Sequence, residues 1–242
     1  MSNDASRDSS SRIRHVRTFV LRAGRTTRAQ QRALQESWPR YGIEFATDPV
    51  DLDAIFGRSA PRVLEIGFGA GEALLAFARA HPEYDCIGIE VHPPGVGHLL
   101  LGLERDGLTN VRVIAHDAIE VLARMLPPAS IDLVHIFFPD PWPKKRHHKR
   151  RLIQPAFLPL LRRVLKPQAH VRLATDWEHY AQQMLETFES NAAFENVHGA
   201  GAYAPRHEER PLTRFELRGQ RLGHGVWDLH YRVRSQPQRE TT

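Results

Sequence analysis

From Pro61 onward the chain alternates short β-branched or apolar runs with longer stretches whose apolar residues recur at helical spacing. Runs of four to eight such residues bounded by turn residues read as buried strands. They fall at Arg62–Ile66, Cys86–Glu90, Val111–Ala115, Ile131–Phe138 and His170–Thr175. Helical spacing covers Glu72–Ala80, Val96–Asp106, Ala118–Met125, Leu152–Leu165 and Trp177–Ser190, each ending near a Gly, Pro or Asn stop signal. Strand and helix in alternation specify a parallel sheet with right-handed crossovers. After Asn191 comes a Gly-, Ala- and His-rich linker, and two later runs, Thr213–Leu217 and Val226–Val233, are expected to add antiparallel strands at the sheet edge. The fold class is therefore α/β, Rossmann-like: a mostly parallel twisted sheet with an antiparallel edge and helices on both faces. Such sheets bind ligands where their parallel strands end.

The 242 residues suffice for one such domain, expected over residues 41–242. Residues 1–40 form a basic, partly disordered arm: the first eleven are polar and Ser-rich, and nine arginines stand against three acids. An Arg- and Ser-rich start is also compatible with a transit peptide, but Arg14 to Arg28 reads better as an RNA-facing segment. The net charge of +5 favours a polyanionic partner. No apolar run approaches the length needed to span a bilayer. The single cysteine, Cys86, excludes an intrachain disulfide and a Cys-based zinc cluster. The 14 histidines show no metal-ligand spacing, so no metal is expected. A cytoplasmic monomer with no obligate protein partner is the expectation.

Chemistry concentrates where the strands end. Val63 to Glu72 runs from a strand through Gly67, Gly69 and Gly71 into a helix, and those glycines permit a tight turn and close approach by a ligand. A dinucleotide fingerprint would place its third Gly at position 72, where Glu72 stands and disfavours a pyrophosphate. The segment instead resembles the acidic-x-Gly-x-Gly-x-Gly loop of class I S-adenosylmethionine (SAM) methyltransferases. SAM carries a sulfonium and an ammonium, so acids should line its site. Glu65 and Glu90 end the first and second predicted strands, Asp117 sits just past the third and Asp140 follows the fourth. Glu90 is placed to meet ribose hydroxyls and Asp117 to flank an adenine pocket. Taken singly, each acid could as well cap the following helix.

The most unusual stretch is FPDPWPKKRHHKRR, Phe138 to Arg151. Three prolines in five residues stiffen the strand exit and fix Asp140 and Trp142 at the rim. The six Lys or Arg and two His that follow would by themselves read as a solvated face; beside a methyl-transfer site they read as a phosphate grip. Trp142, Phe138 and Phe215 could stack a base or belong to the core.

This stretch resembles the signature of the bacterial tRNA (guanine-N7-)-methyltransferase family. Leu212 to Gly219, Leu222 to Leu229, and Arg17 to Arg22 with Arg25 and Gln30 resemble its C- and N-terminal motifs. The resemblance covers about Ile13 to Val233. It implies SAM as cofactor, tRNA as partner and N7 of the variable-loop guanosine 46 as target. It also implies SAM contacts from Glu65, Gly67, Gly69, Gly71, Glu90, Asp117 and Asp140, with Asp140 catalytic. Guanine or tRNA contacts would come from Lys144, Asp176, Thr213, Arg214, Phe215 and Glu216, and RNA contacts from Arg146, His147, His148, Lys149, Arg150 and Arg151. Two departures stand out: Gln168-Ala169 where many methyltransferases have Gly-Gly, and the proline-rich His92-Pro93-Pro94-Gly95. The competing readings are a SAM methyltransferase for another base or substrate, and a non-catalytic RNA-binding protein.

Overall fold

The computed structural model describes residues 24–208, 210–212, 216 and 225–235. The parallel strands are β1 (Arg62–Ile66), β2 (Asp85–Ile89), β3 (Val111–Ile114), β4 (Ile131–Phe137) and β5 (Leu165–Thr175). Two antiparallel strands complete a seven-stranded sheet: β6 (Phe194–Asn196) and β7 (Trp227–Val233), in the order β3-β2-β1-β4-β5-β7-β6. The strand order reverses between β1 and β4, and a crevice opens there.

Residues paired across neighbouring strands share a face, and the two faces differ. One carries Leu64, Ile66, Val134, Ile136, Val171 and Leu173, packed against α7 (Phe157–Val164) and α8 (Glu178–Glu189). The other carries Val63, Cys86, Val113 and Leu133, packed against α4 (Glu72–Ala80) and α5 (Pro93–Asp106). Leu64, Leu74, Ile87, Leu99 and Leu100 are fully buried, and each such side chain contributes roughly 1.5–3 kcal/mol. Cys86 lies at the centre of this packing, and burial raises its thiol far above the ordinary range.

Before the sheet come α1 (Arg28–Glu36), α2 (Trp38–Tyr41) and α3 (Leu52–Phe56). Thr27 and Gln30 form a capping box at the start of α1, satisfying two backbone donors reciprocally. Gln30 Nε2 donates to Pro94 O at 3.1 Å, and Ser37 Oγ donates to Glu104 at 2.6 Å, so α1 is fastened along α5. The contact is close because Gly97 has no side chain; a Cβ there would lie 2.7 Å from Gln30 Cβ.

Several expected elements change at their ends. The helix expected from Ala118 holds α6 (Ala118–Glu120) and then a π-turn over Val121–Met125. The helix expected over Leu152–Leu165 shrinks to Phe157–Val164, and the Ile153 N–H ahead of it donates to the Tyr180 hydroxyl at 3.0 Å. The strand expected from His170 starts at Leu165 and carries an irregular register against Ile131 and Leu133. Its turn residue Gln168 has φ of 65°, the left-handed conformation that a Gly at this position would adopt freely. The expected linker after Asn191 supplies β6, so the sheet edge lies one strand beyond β7. Of the expected strand Thr213–Leu217 only Glu216 is among the described residues, and it is helical.

Candidate functional site

The β1–α4 turn is shaped by Gly67, Gly69 and Gly71, with φ of 73°, 57° and 78°. Gly67 N–H is held by Ile89 O at 2.8 Å, and Gly71 N–H by Phe68 O at 2.8 Å. Among the described residues nothing lies within 4 Å of where a Cβ would stand on Gly67 or Gly69, so both glycines leave room for a ligand. Pro93 starts α5 at its first turn, where a missing N–H costs nothing. This brings Gly95 so close that a Cβ there would strike the Gly69 carbonyl. The proline-rich departure therefore builds one wall of the cleft.

Glu90, just after β2, ties the two turns together. Its Oε1 accepts from Val91 N at 2.7 Å and His92 N at 3.0 Å, and its Oε2 accepts from Gly69 N at 2.9 Å. These bonds leave Oε2 a lone pair for a ligand hydroxyl. A cleft of about 320 Å3 opens here, lined by Gly67, Gly69, Glu90, His116, Phe138 and Asp140 among others.

Glu65 does not line that cleft. It borders an adjoining cavity of about 260 Å3 that shares Gly67, Gly69 and Phe138 with it. The Glu65 carboxyl is buried, its Oε2 makes no hydrogen bond among the described residues, and its pKa is pushed up to about 8. Burial is the main cause and the nearby Glu90 the second. An unpartnered buried carboxyl beside an open cavity suits a cationic ligand group, which would restore its ionised form. Asp117 sits between the cleft-lining His116 and Ala118, but its Oδ1 caps α6 through Ile119 N at 2.9 Å. It performs the capping role and stands at the cleft rim.

The exit from β4 is strained. Phe138 and Trp142 hold φ of 52° and 45°, which costs a non-glycine residue about 1–3 kcal/mol. Phe138 N–H is fixed to Ala174 O at 2.7 Å, and Asp140 is left exposed in the cleft wall. Beyond it a 3-10 helix spans Lys145–Arg150. Lys144, Arg146 and Lys149 are exposed, while Arg150 lies over the Trp142 ring at 5.1 Å and His147 meets that ring edge-on. Burial and the neighbouring cations lower the pKa of His147; burial, Arg151 and His179 lower that of His148.

Arg151 corrects the expectation of an unbroken RNA-facing run. It is 1% exposed, donating to Pro141 O at 2.7 Å and Gln183 Oε1 at 2.6 Å and lying over the Tyr180 ring. Its guanidinium braces the strained turn from inside and does not face RNA.

Glu216 also departs from the expected open guanine pocket. Its oxygens pair with Arg206 Nε at 3.1 Å and with Arg210 Nη1 at 2.6 Å. Arg210, fully buried, also donates to Asp228 Oδ2 at 3.0 Å and lies 5.2 Å over Phe138. Arg206, Arg210 and Asp228 had no signal in the sequence: Arg206 and Arg210 lie only ten and six residues before Glu216, but no local motif marks them as a buried cluster. Asp176 follows β5 at the same edge, half-buried. Thr213, Arg214 and Phe215 lie outside the described residues.

A larger groove of about 520 Å3 between α4 and α5 contains none of the expected site residues. Its cations, Arg79 and Arg105, are both held by Asp106.

Comparison with known proteins agrees with this geometry. A family profile described as "Putative methyltransferase" matches residues 59–229. A tRNA (guanine-N(7)-)-methyltransferase of Thiobacillus denitrificans is 58% identical over 90% of this chain and 96% of its own length. One from Edwardsiella ictaluri is 54% identical over 90% and 92%. Among solved structures, the 16S rRNA methyltransferase KamB superposes with a TM-score of 0.56 at 17% identity, covering 76% of this chain and 94% of its own, which shows the shared fold. On the strength of these identities and of a cleft built from the expected glycines and acids, the chain belongs to the tRNA (guanine-N(7)-)-methyltransferase family.

Proposed function

We propose that this protein transfers a methyl group from SAM to N7 of a guanosine in tRNA, the variable-loop guanosine 46, giving 7-methylguanosine. The observation that carries the reading is the cleft itself: Glu90 and Asp140 line it, and the Lys144–Arg150 run begins at its rim. The relatives named for this activity are 54–58% identical across nine-tenths of the chain.

When bound, SAM supplies a methyl group on a sulfonium sulfur. Glu90 would hold its ribose, Glu65 and the Gly67–Gly71 turn its charged methionyl portion, and the Asp117 turn would border the adenine. Guanine N7 already bears a lone pair, so no general base is required; the chain contributes orientation and electrostatics. Asp140 aligns the base and stabilises the positive charge developing on it. Asp176, at the same edge, completes guanine recognition. Lys144, Arg146, His147, His148, Lys149 and Arg150 hold the RNA backbone, with Thr213, Arg214 and Phe215 beside the base.

Incubation of the protein with bulk tRNA and labelled SAM, followed by digestion to nucleosides, should yield labelled 7-methylguanosine. Another labelled nucleoside would transfer the function to a different base. No heat of SAM binding in calorimetry would favour a binding protein.

A further inference from the structure

The sheet face that α4 and α5 cover over β1–β3 is bare of helices over β5 and β7 among the described residues. The register carries Glu65 to His135 on β4, His135 to Arg172 on β5, and Arg172 to His230 on β7. Along β5 and β7 buried Val171, Leu173, Leu229 and Tyr231 face the core under α8, while His170, Arg172, His230 and Arg232 alternate with them. Strict alternation of this kind marks a strand pair with one wet face. Here that face carries Arg172 and the two imidazoles, while Arg232 is paired with Glu195 and Asp228 lies at the other end of β7.

The chain after β6 folds over this face and leaves a cavity of about 370 Å3, whose walls include Arg172, His198, Arg206, His207, Asp228 and His230. His230 Nε2 meets His170 Nδ1 at 2.9 Å, and the His198 ring stands 5.8 Å from that of His230. Two acids stand in the wall, Asp228, which is engaged by Arg210, and Glu208. Burial holds the His230 pKa down to about 4, with Arg172 and the neighbouring imidazoles adding to the effect, so His230 enters the cavity as a neutral imidazole able to donate one hydrogen bond. Val197 and Leu212 are the only exposed large hydrophobics among the described residues, whereas the centre of a protein interface is apolar. Phosphate fits the chemistry better. The cavity also communicates with the methyl-transfer edge, because the Arg210 that holds Asp228 lies over Phe138 of the cleft.

We propose that the open β5–β7 face is a second anion site that seats a backbone phosphodiester of the RNA substrate, apart from the Lys144–Arg150 run. This rests on the RNA-methylating reading above. A second phosphate anchor on the same side of the edge would fix the rotation of the RNA about the first.

The test compares the full-length protein with His198→Ala, an exposed turn residue, and Arg172→Gln, in equilibrium binding and methylation of one tRNA across a salt series. The expected result is a KM for tRNA raised about three- to tenfold with kcat and SAM affinity unchanged, and a salt slope shallower by about one for Arg172→Gln. Should Arg172→Gln not fold, His198→Ala carries the test with phosphate-ethylation interference: at least one tRNA phosphate whose ethylation weakens the wild type should become indifferent in the variant. Unchanged KM and interference pattern would overturn the proposal, as would a loss confined to kcat or SAM affinity. So would inorganic phosphate binding abolished by the variants while RNA binding is untouched, which would leave a site for free phosphate. A dimer lost on His198→Ala with KM unaltered would make the face a protein interface. RNA binding is measured without turnover, so absence of 7-methylguanosine from wild-type reactions would strike the functional reading alone.

Discussion

Between β1 and α4 the chain turns on three glycines in the left-handed region, whereas after β4 it turns on Phe138 and Trp142, which hold the same region against their own side chains. The first turn is relaxed and is secured by one carboxylate, Glu90, which accepts from Gly69 N and is itself anchored by Val91 N and His92 N of the turn after β2. The second is strained and is secured by one guanidinium, Arg151, buried beneath it. Glycine lets a small ligand reach the backbone. Strained bulky residues do the opposite: they project rings and an exposed Asp140 outward, as a large partner requires. The two walls of one cleft are thus built for partners of different size.

The sharpest way to break this contrast is at Asp140. Asp140→Ala should lower turnover by about 100- to 1000-fold, a typical cost of losing one group aimed at developing charge, while SAM affinity by calorimetry stays within a few-fold. Near-normal methylation would leave the second wall without a chemical role. Next comes its brace. Arg151→Ala removes a side chain bonded to Pro141 O and Gln183 and should cost about 2–4 kcal/mol in urea unfolding; an unchanged midpoint would mean the strained turn supports itself.

The relaxed wall is tested through Glu65. Its pKa of about 8 lies above the ordinary 4.5, so between those values the folded protein binds more protons than the unfolded chain. Stability without ligand should therefore decline as pH rises from about 4.5 to about 8. SAM affinity should climb about tenfold per pH unit below 8 as the carboxylate forms, then level off. Glu65→Gln should flatten both profiles, and a persisting slope would assign the proton elsewhere.

A smaller loss, about tenfold in SAM affinity, is expected for Gly95→Ala, whose methyl meets the Gly69 carbonyl. Smallest is Lys149→Ala: the urea midpoint should hold, and tRNA binding should weaken about threefold with a salt slope shallower by about one. A stability loss there would make Lys149 a brace like Arg151.

Strands β1 to β4 and helix α4 were legible because burial imposes its periodicity directly on the residues that are buried. The Gly turn and the acids at the strand ends were legible for a related reason: a turn needing positive φ selects its residue locally. Arg151 was not. Side by side with Arg150 in a basic run, its burial depends on His179 and Gln183, which reach it from α8. The same holds for Glu216: Arg206 and Arg210 lie only ten and six residues before it, but their burial together depends on Asp228 of β7. Short β6 lacks enough residues to show alternation, and the π-turn after α6 differs from a helix only in its hydrogen bonding. Local rules fail where a tertiary partner decides.

The lone thiol of Cys86, sealed in β2 between its parallel neighbours, has a practical consequence. No thiol reagent can reach it while the sheet is closed, and the raised pKa keeps it unreactive there. Its labelling rate under native conditions is consequently a clock for rare opening of the sheet centre. Slowing of that clock by added cofactor would report occupancy of the neighbouring cleft without any engineered probe.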